Sequence, residues 1–258
     1  GSFVFNFDGD DVSFDSLIDG SGEIAVANGT VIYSGDGSAF TGTTDVTGGT
    51  LQLAGATLGG TLSVSGWGTL SGSGTVGATT LESGATVAPG GSDVGTLTVD
   101  GNLTFAAGAT YEVTVDTDTG ESDLIHATGT ATLAGSILHV GPSSGYAALQ
   151  SYTILTADGG LNGTFGTVAS DYSFLDASLA YGNTDVTLTL IRNDSDFASV
   201  AQNDNQAATA GAVESLGSGN AIYNAVVVLD DDSASDAFQQ LSGEVYSSSV
   251  SASVNNNR

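Results

Sequence analysis

The chain has 258 residues, with 38 glycines, two prolines and 40% apolar residues. Its 29 acidic side chains face two basic ones, Arg192 and Arg258, and it has no lysine, for a formal net charge of −27. Nucleic acids and anionic membranes are held by Lys and Arg that displace counterions, so no nucleic acid is expected as a partner, and no anionic membrane surface. Without cysteine there is no disulfide framework either.

Glycine at about twice its usual share, with almost no proline, fits neither a Pro/Gly-rich disordered tract nor a collagen. It fits many short strands joined by Gly-containing turns. No run of ~20 apolar residues is long enough for a membrane-spanning helix. No signal peptide precedes Gly1-Ser2-Phe3, so the chain reads as a piece of a longer precursor. The excess of carboxylates reads as a solvated acidic coat, with binding of divalent cations or steering of a cationic partner as the functional counterpart.

In chain order, residues 1–42 hold short alternating runs, Phe3–Phe7, Glu23–Ala27 and Thr30–Tyr33, between Asp/Gly/Ser turns. From Thr43 a repeat emerges. Val46-Thr-Gly-Gly-Thr-Leu51 returns as Val64-Ser-Gly-Trp-Gly-Thr-Leu70, as Leu81-Glu-Ser-Gly-Ala-Thr-Val87 and as Val99-Asp-Gly-Asn-Leu103, about every 18 residues. A unit this short cannot bury its own apolar face, so it must stack on the next. Glycine supplies the corners, and small aliphatics suit a narrow interior. A parallel β-helix is expected; a flat antiparallel sandwich, the alternative, would not require the motif to recur at near-constant spacing.

Longer strands follow at Ala109–Val115, Leu124–Ala127 and Ser136–Val140, with a polar turn from Asp116 to Asp123. Tyr152–Ala157, Gly163–Val168 and Tyr172–Ile191, broken at Gly182-Asn183, read as strands that close the open end of the solenoid. Tyr152, Phe165, Phe174, Leu175 and Tyr181 are the expected plug. After Arg192 the period becomes helical: Phe197, Val200, Ala208, Val213 and Leu216 share a side, and Gly217 stops the helix. A second piece covers Asn220–Leu229. A third follows Asp230-Asp-Asp232, with Ser233 and Asp236 spaced as a capping box and Phe238, Leu241, Val245 and Ala252 on one side.

Several catalytic strings occur in the wrong context. Gly72-Ser-Gly-Thr-Val-Gly77 fits G-x-G-x-x-G, but no helix follows it. Gly141-Pro-Ser143-Ser-Gly145 fits G-x-S-x-G near His139, but Pro142 makes a loop where a strand-to-helix turn is needed. The two histidines, His126 and His139, are far apart and have no cysteine to complete a zinc site. Asn183-Thr-Asp185 resembles a polygalacturonase fragment without its His and Arg/Lys counterparts, and an anionic polyuronate would be repelled. The acidic clusters Asp8-Gly-Asp10-Asp11 and Asp116–Asp123 do not follow the EF-hand loop. No catalytic, cofactor-binding or metal residue is therefore assigned.

The order of these pieces resembles the C-terminal part of a classical (type Va) autotransporter passenger. Gly49-Thr-Leu-Gln-Leu through Val87-Ala-Pro-Gly-Gly-Ser and Gly95–Leu103 resemble the passenger-associated transport repeat. Tyr152–Arg192 resembles the autochaperone region, and Leu241-Ser-Gly-Glu-Val-Tyr246 resembles the linker helix that threads the barrel. The resemblance implies an all-β, right-handed parallel β-helix with a C-terminal β cap and a short helical tail. Stalk rungs would span 1–140, the cap 141–192, and a linker 193–258 would lead to an outer-membrane barrel. It implies a non-enzymatic, cofactor-free segment at the surface of a Gram-negative bacterium or secreted from it. Its partners would be its own barrel, the barrel-assembly machinery, and host or self surfaces. Asn255 and Asn256 are reminiscent of the pair at which such passengers are cleaved. An adhesive or self-associating β-helix face is the alternative, and a β-helical carbohydrate-active enzyme a lesser one.

Overall fold

A computed structural model describes residues 1–9, 11–117, 119–140 and 150–243. The glycine-turn repeat sets how they stack. Val46 lies beside Val64, and Val64 beside Leu81, in parallel register. Across the glycine turn, Leu51 lies beside Leu70 and Leu70 beside Val87. Each repeat thus sits on its predecessor in the same orientation, and the chain winds into a mostly β parallel solenoid with three faces.

The first face runs from Ser2–Asn6 through Glu23–Asn28, Thr43–Val46 and the ends of Thr50–Val64, Thr69–Leu81 and Thr96–Phe105 to Ala131–Leu133 and Leu161–Gly163. The second runs from Val12–Phe14 through Thr30–Tyr33, the starts of Thr50–Val64 and Thr69–Leu81, Thr86–Pro89, Thr110–Asp116 and Ser136–Val140 to Thr167–Ser170. The third carries Asp36–Gly37, the middles of Thr50–Val64 and Thr69–Leu81, the start of Thr96–Phe105, Leu124–Ala127 and Ser151–Ala157.

Alternation sends every second residue inward, so the stacked repeats build columns. Val26, Val46, Val64, Leu81 and Phe105 form one, all fully buried. On the outside, Thr30, Thr50, Thr69, Thr86, Thr110, Ser136 and Thr167 form an unbroken hydroxyl ladder. The fourth copy of the repeat is not the one expected. Val99-Asp-Gly-Asn-Leu103 turns from the third face to the first, with Val99 beside Val76. The copy that stacks on Leu81–Val87 is Phe105-Ala-Ala-Gly-Ala-Thr-Tyr111, with Phe105 beside Leu81 and Tyr111 beside Val87. The repeat lengthens here, and aromatic rings take the place of aliphatics. Phe165 fills the same space, its ring 5.1 Å from that of Phe105.

The G-x-G-x-x-G glycines are packing residues inside strand Thr69–Leu81. A Cβ on Gly72 would stand 2.1 Å from the Leu53 carbonyl oxygen, and one on Gly77 1.9 Å from that of Gly60. No side chain fits where two turns of backbone approach this closely.

The run Gly163–Val168 is a corner, with Gly163 at φ +81 and Phe165 buried between two short strands. Parallel pairing continues to Ser170. On the third face, Ser151–Ala157 pairs antiparallel with Asp185–Arg192, which pairs antiparallel with Leu175–Tyr181. Of the expected plug residues, Tyr152, Phe165, Phe174 and Leu175 are buried; Tyr181 is 37% exposed.

A 3-10 turn, Phe197–Val200, leads to α1 (Asp204–Glu214), α2 (Ala221–Val227) and α3 (Asp231–Leu241). None of the described helices is long and apolar enough to cross a membrane. The cap of α3 is Asp230, whose side chain accepts from Ser233 N at 2.7 Å, so Ser233 lies inside the helix rather than at its start. The α1 stripe is also displaced: Gln206, Ala210 and Val213 are buried, while Leu216 is 47% exposed. Gln206 is satisfied by Gln202 N and by Gln239 of α3. α3 stops at Leu241, with Gly243 at φ +76, so Leu241–Gly243 is the end of one helix; Glu244 to Arg258, including Val245, Tyr246, Ala252, Asn255 and Asn256, lie outside the described residues.

Candidate functional site

The positions with catalytic resemblance resolve into structural roles. His126 faces outward at about one-third exposure, its Nε2 3.3 Å from Asp158 Oδ1. His139 lies in strand Ser136–Val140, and Gly141–Gly145 lie outside the described residues. Asn183-Thr-Asp185 is a hairpin turn: the Asn183 carbonyl accepts from Leu161 N and that of Thr184 from Ala157 N. Asp8 accepts from the Asn28 side chain, and Asp10 and Asp118 lie outside the described residues. Among the described residues no group of three or more His, Asp or Glu is placed to hold a metal ion.

Two polar centres stand out instead. The first is Arg192, one of the two cations of the chain, at the end of the last strand. Its Nη1 donates to Asn193 Oδ1 at 2.9 Å and to the Asn193 carbonyl; Nη2 donates to the Ser195 carbonyl and to Glu214 Oε1 at 3.1 Å. The guanidinium carbon sits 5.3 Å from the Phe174 ring centre and 5.0 Å from that of Phe197. Phe197 in turn packs on Phe174, Tyr223 and Phe238 at 4.7, 5.0 and 6.2 Å. Glu214 uses its other oxygen to accept from Phe197 N. The last strand, the 3-10 turn and α1 therefore meet on one side chain. A planar five-donor fork stacked on aromatic faces does this; an ammonium does not.

The second centre is Asp123, 1% exposed at the corner between the second and third faces. One oxygen accepts from Gly95 N at 2.8 Å in the turn below, the other from Thr114 N at 2.9 Å in its own turn. Burial pushes this carboxyl up to about 7, against the lowering effect of those N–H groups. The Tyr111 hydroxyl, driven well above its usual range by burial and then by Asp123, donates to the Ile154 carbonyl at 2.7 Å. Tyr152, pushed up to about 12 by burial and by Asp116, keeps a buried hydroxyl with no hydrogen-bond partner among the described residues. Glu112 on the second face is raised by partial burial and by Asp171. Sequence reasoning passed over both centres. The scarcity of cations was the only available signal for Arg192, and Asp123 looked like any other acid in a polar turn.

Comparison with known proteins gives a partial match. A stretch of 67 residues, 26% of the chain, is 40% identical to part of an extracellular serine protease of Serratia marcescens. That stretch is 6% of the protease, so the chain matches only a small part of its length. No family model matches. A β-solenoid with partial similarity to an extracellular protein is consistent with a passenger-like fragment of a secreted or surface protein.

Proposed function

We propose that this chain is a non-catalytic stalk and folding module of an exported autotransporter passenger, and that its C-terminal end folds first. The observation that carries the reading is the change of pairing at Ser151–Ala157. Below it every turn is stacked in parallel; above it an antiparallel hairpin, Leu175–Tyr181 with Asp185–Arg192, covers the third face and is pinned through Arg192 to the 3-10 turn and to α1. A quasi-one-dimensional solenoid gains stability turn by turn from its neighbours, so the end with the most long-range anchoring is the natural nucleus. Folding outside the cell from that end would bias transport without ATP. On this reading the rungs, the hairpin closure and the helical segment form stalk, cap and linker, and the partners are an outer-membrane barrel and its assembly machinery.

The test is deletion of Tyr152–Arg192 from the intact exported protein. Display should be lost, or the displayed passenger should become protease-sensitive. Unchanged display and resistance would refute the reading.

A second reading, an adhesive or self-associating outer face, draws on the hydroxyl ladder from Thr30 to Thr167 and on Trp67, 89% exposed at a glycine corner. Clumping of cells that display this segment alone would favour it; inert display would favour the stalk.

A further inference from the structure

On the first face, between Thr43 and Thr104, the wall is recessed into a groove of about 400 Å³. Four turns contribute to it in register: Thr43 lies beside Thr61, Asp45 beside Ser63, Ser63 beside Thr80 and Thr80 beside Thr104. With strands about 4.8 Å apart, the groove runs roughly 14 Å along the solenoid axis. Its polar side chains are unengaged. Among the described residues the hydroxyls of Thr43, Thr61, Ser63, Thr80 and Thr104 make no hydrogen bond, and neither do the carboxylates of Asp45 and Glu82. The groove ends at Asn102, whose Oδ1 accepts from Thr130 N and Thr130 Oγ1.

At the edge of this groove stands Trp67, the single tryptophan of the chain and 89% exposed. It sits on the corner Ser65–Gly68, closed by Gly68 N donating to the Ser65 carbonyl at 2.9 Å. Val64 lies beside Leu81, so Glu82 enters the same corner one turn on. The glycine after Trp67 presses the backbone against the turn below: a Cβ on Gly68 would stand 2.4 Å from the Val46 carbonyl oxygen. The indole is left in solvent. Among the described residues, the other exposed large apolar side chains lie in the first turn, the hairpin or the helices, and Trp67 alone stands in the repeated turns.

We propose that this groove binds a neutral, hydroxyl-rich glycan, laid along the solenoid axis with one sugar ring stacked on Trp67. The inference rests on the reading of the outer face as adhesive and names what that face holds. The lining selects the class. Hydroxyl side chains donate and accept while carboxylates only accept, so the set matches a ligand rich in O–H groups. Asp45 and Glu82, with no Lys or Arg in the lining, repel uronates, sulfated glycans and nucleic acid. A cationic peptide would be drawn to the two carboxylates, but the hydroxyls that make up most of the polar lining favour the neutral chain. The exposed indole supplies a flat apolar surface for the C–H face of a sugar ring, and tryptophan is often the decisive side chain at a binding surface.

Because Trp67 is the only tryptophan, its emission reads the site directly in the whole chain. The probes are linear oligomers of glucose, mannose, galactose and N-acetylglucosamine, with oligogalacturonate and oligolysine as controls. At least one neutral oligomer should shift the emission saturably at millimolar concentration or below, with little change when salt is raised. Thr61→Val combined with Thr80→Val, which keeps Trp67, should weaken that binding about tenfold, and Trp67→Ala, followed by calorimetry, should do the same. Both variants should keep the wild-type urea midpoint, since all three side chains face outward. The proposal is overturned if no neutral oligomer shifts the emission, if oligogalacturonate binds as well, if only oligolysine binds and salt abolishes it, or if either variant binds like the wild type. Clumping of cells without oligomer binding overturns the groove and spares the adhesive reading; oligomer binding without clumping supports the groove.

Discussion

Replacing Arg192 by alanine removes the side chain that joins the last strand to the helices. The guanidinium is 18% exposed and its partner Glu214 31%, so the pair lies between a surface bridge and a buried one. Exposed pairs contribute at most about 1 kcal/mol, and breaking a buried one costs about 3–5 kcal/mol. Stacking on Phe174 and Phe197 adds about 1 kcal/mol. Taken together, R192A should loosen the helical segment by about 3 kcal/mol, roughly a hundredfold in its opening equilibrium. The carbonyls of Asn193 and Ser195 lose their donor, and Glu214 keeps only Phe197 N.

The assay is native-state hydrogen exchange, read separately for α1 to α3 and for strands Thr50–Val64 and Thr69–Leu81. Protection in the helices should collapse while that of the central strands is retained. Arg192→Lys should recover less than half of the loss, because an ammonium cannot serve the Asn193, Ser195 and Glu214 acceptors from one plane. A double-mutant cycle with Glu214→Ala should give a coupling of about 1–3 kcal/mol. A change under about 0.5 kcal/mol in R192A, or equal loss in helices and central strands, would refute the pin.

Other substitutions separate packing from conformational effects. Gly77→Ala places a methyl 1.9 Å from the Gly60 carbonyl oxygen and should cost about 3 kcal/mol or prevent folding, whereas Gly211→Ala in α1 meets nothing and should stabilise by about 0.5–1 kcal/mol in urea unfolding. Tyr111→Phe leaves the buried Ile154 carbonyl without its donor and should cost about 1–2 kcal/mol by the same measurement. Asp230→Ala removes the cap of α3, at about 1 kcal/mol. Asp230 is held below its usual range by Ser233, so its contribution is present above about pH 4 and lost as pH falls through the lowered value; the acid-side slope of helix protection should therefore flatten in D230A. Trp67→Ala should shift stability by less than about 0.5 kcal/mol, and Trp67 emission should barely change on unfolding.

Legibility varied along the chain for identifiable reasons. Val46–Leu51, Val64–Leu70 and Leu81–Val87 could be read as stacked turns because inward aliphatics, a glycine corner and a following threonine recur at near-constant spacing. Once the spacing lengthens, the nearest look-alike, Val99–Leu103, masks the true successor Phe105–Tyr111, and only the strand register distinguishes them. Gly163–Val168 has the residues of a strand, but Gly163 adopts a positive φ and Phe165 turns into the core. For α3, Ser233 was a plausible cap until Asp230, three residues earlier, proved to hold its N–H.

Local pattern alone thus determined the solenoid, its regularly spaced corners from Val46 to Val87 and the switch to helices, because each depends on contacts between neighbours in sequence or between copies of one motif. Tertiary structure decided which acid is buried and which cation is enclosed. The partners of Asp123 lie at Gly95 and Thr114, and those of Arg192 at Phe174, Phe197 and Glu214. Their energies come from desolvation and from donors brought together by the winding of the chain. No periodicity in the sequence encodes that proximity.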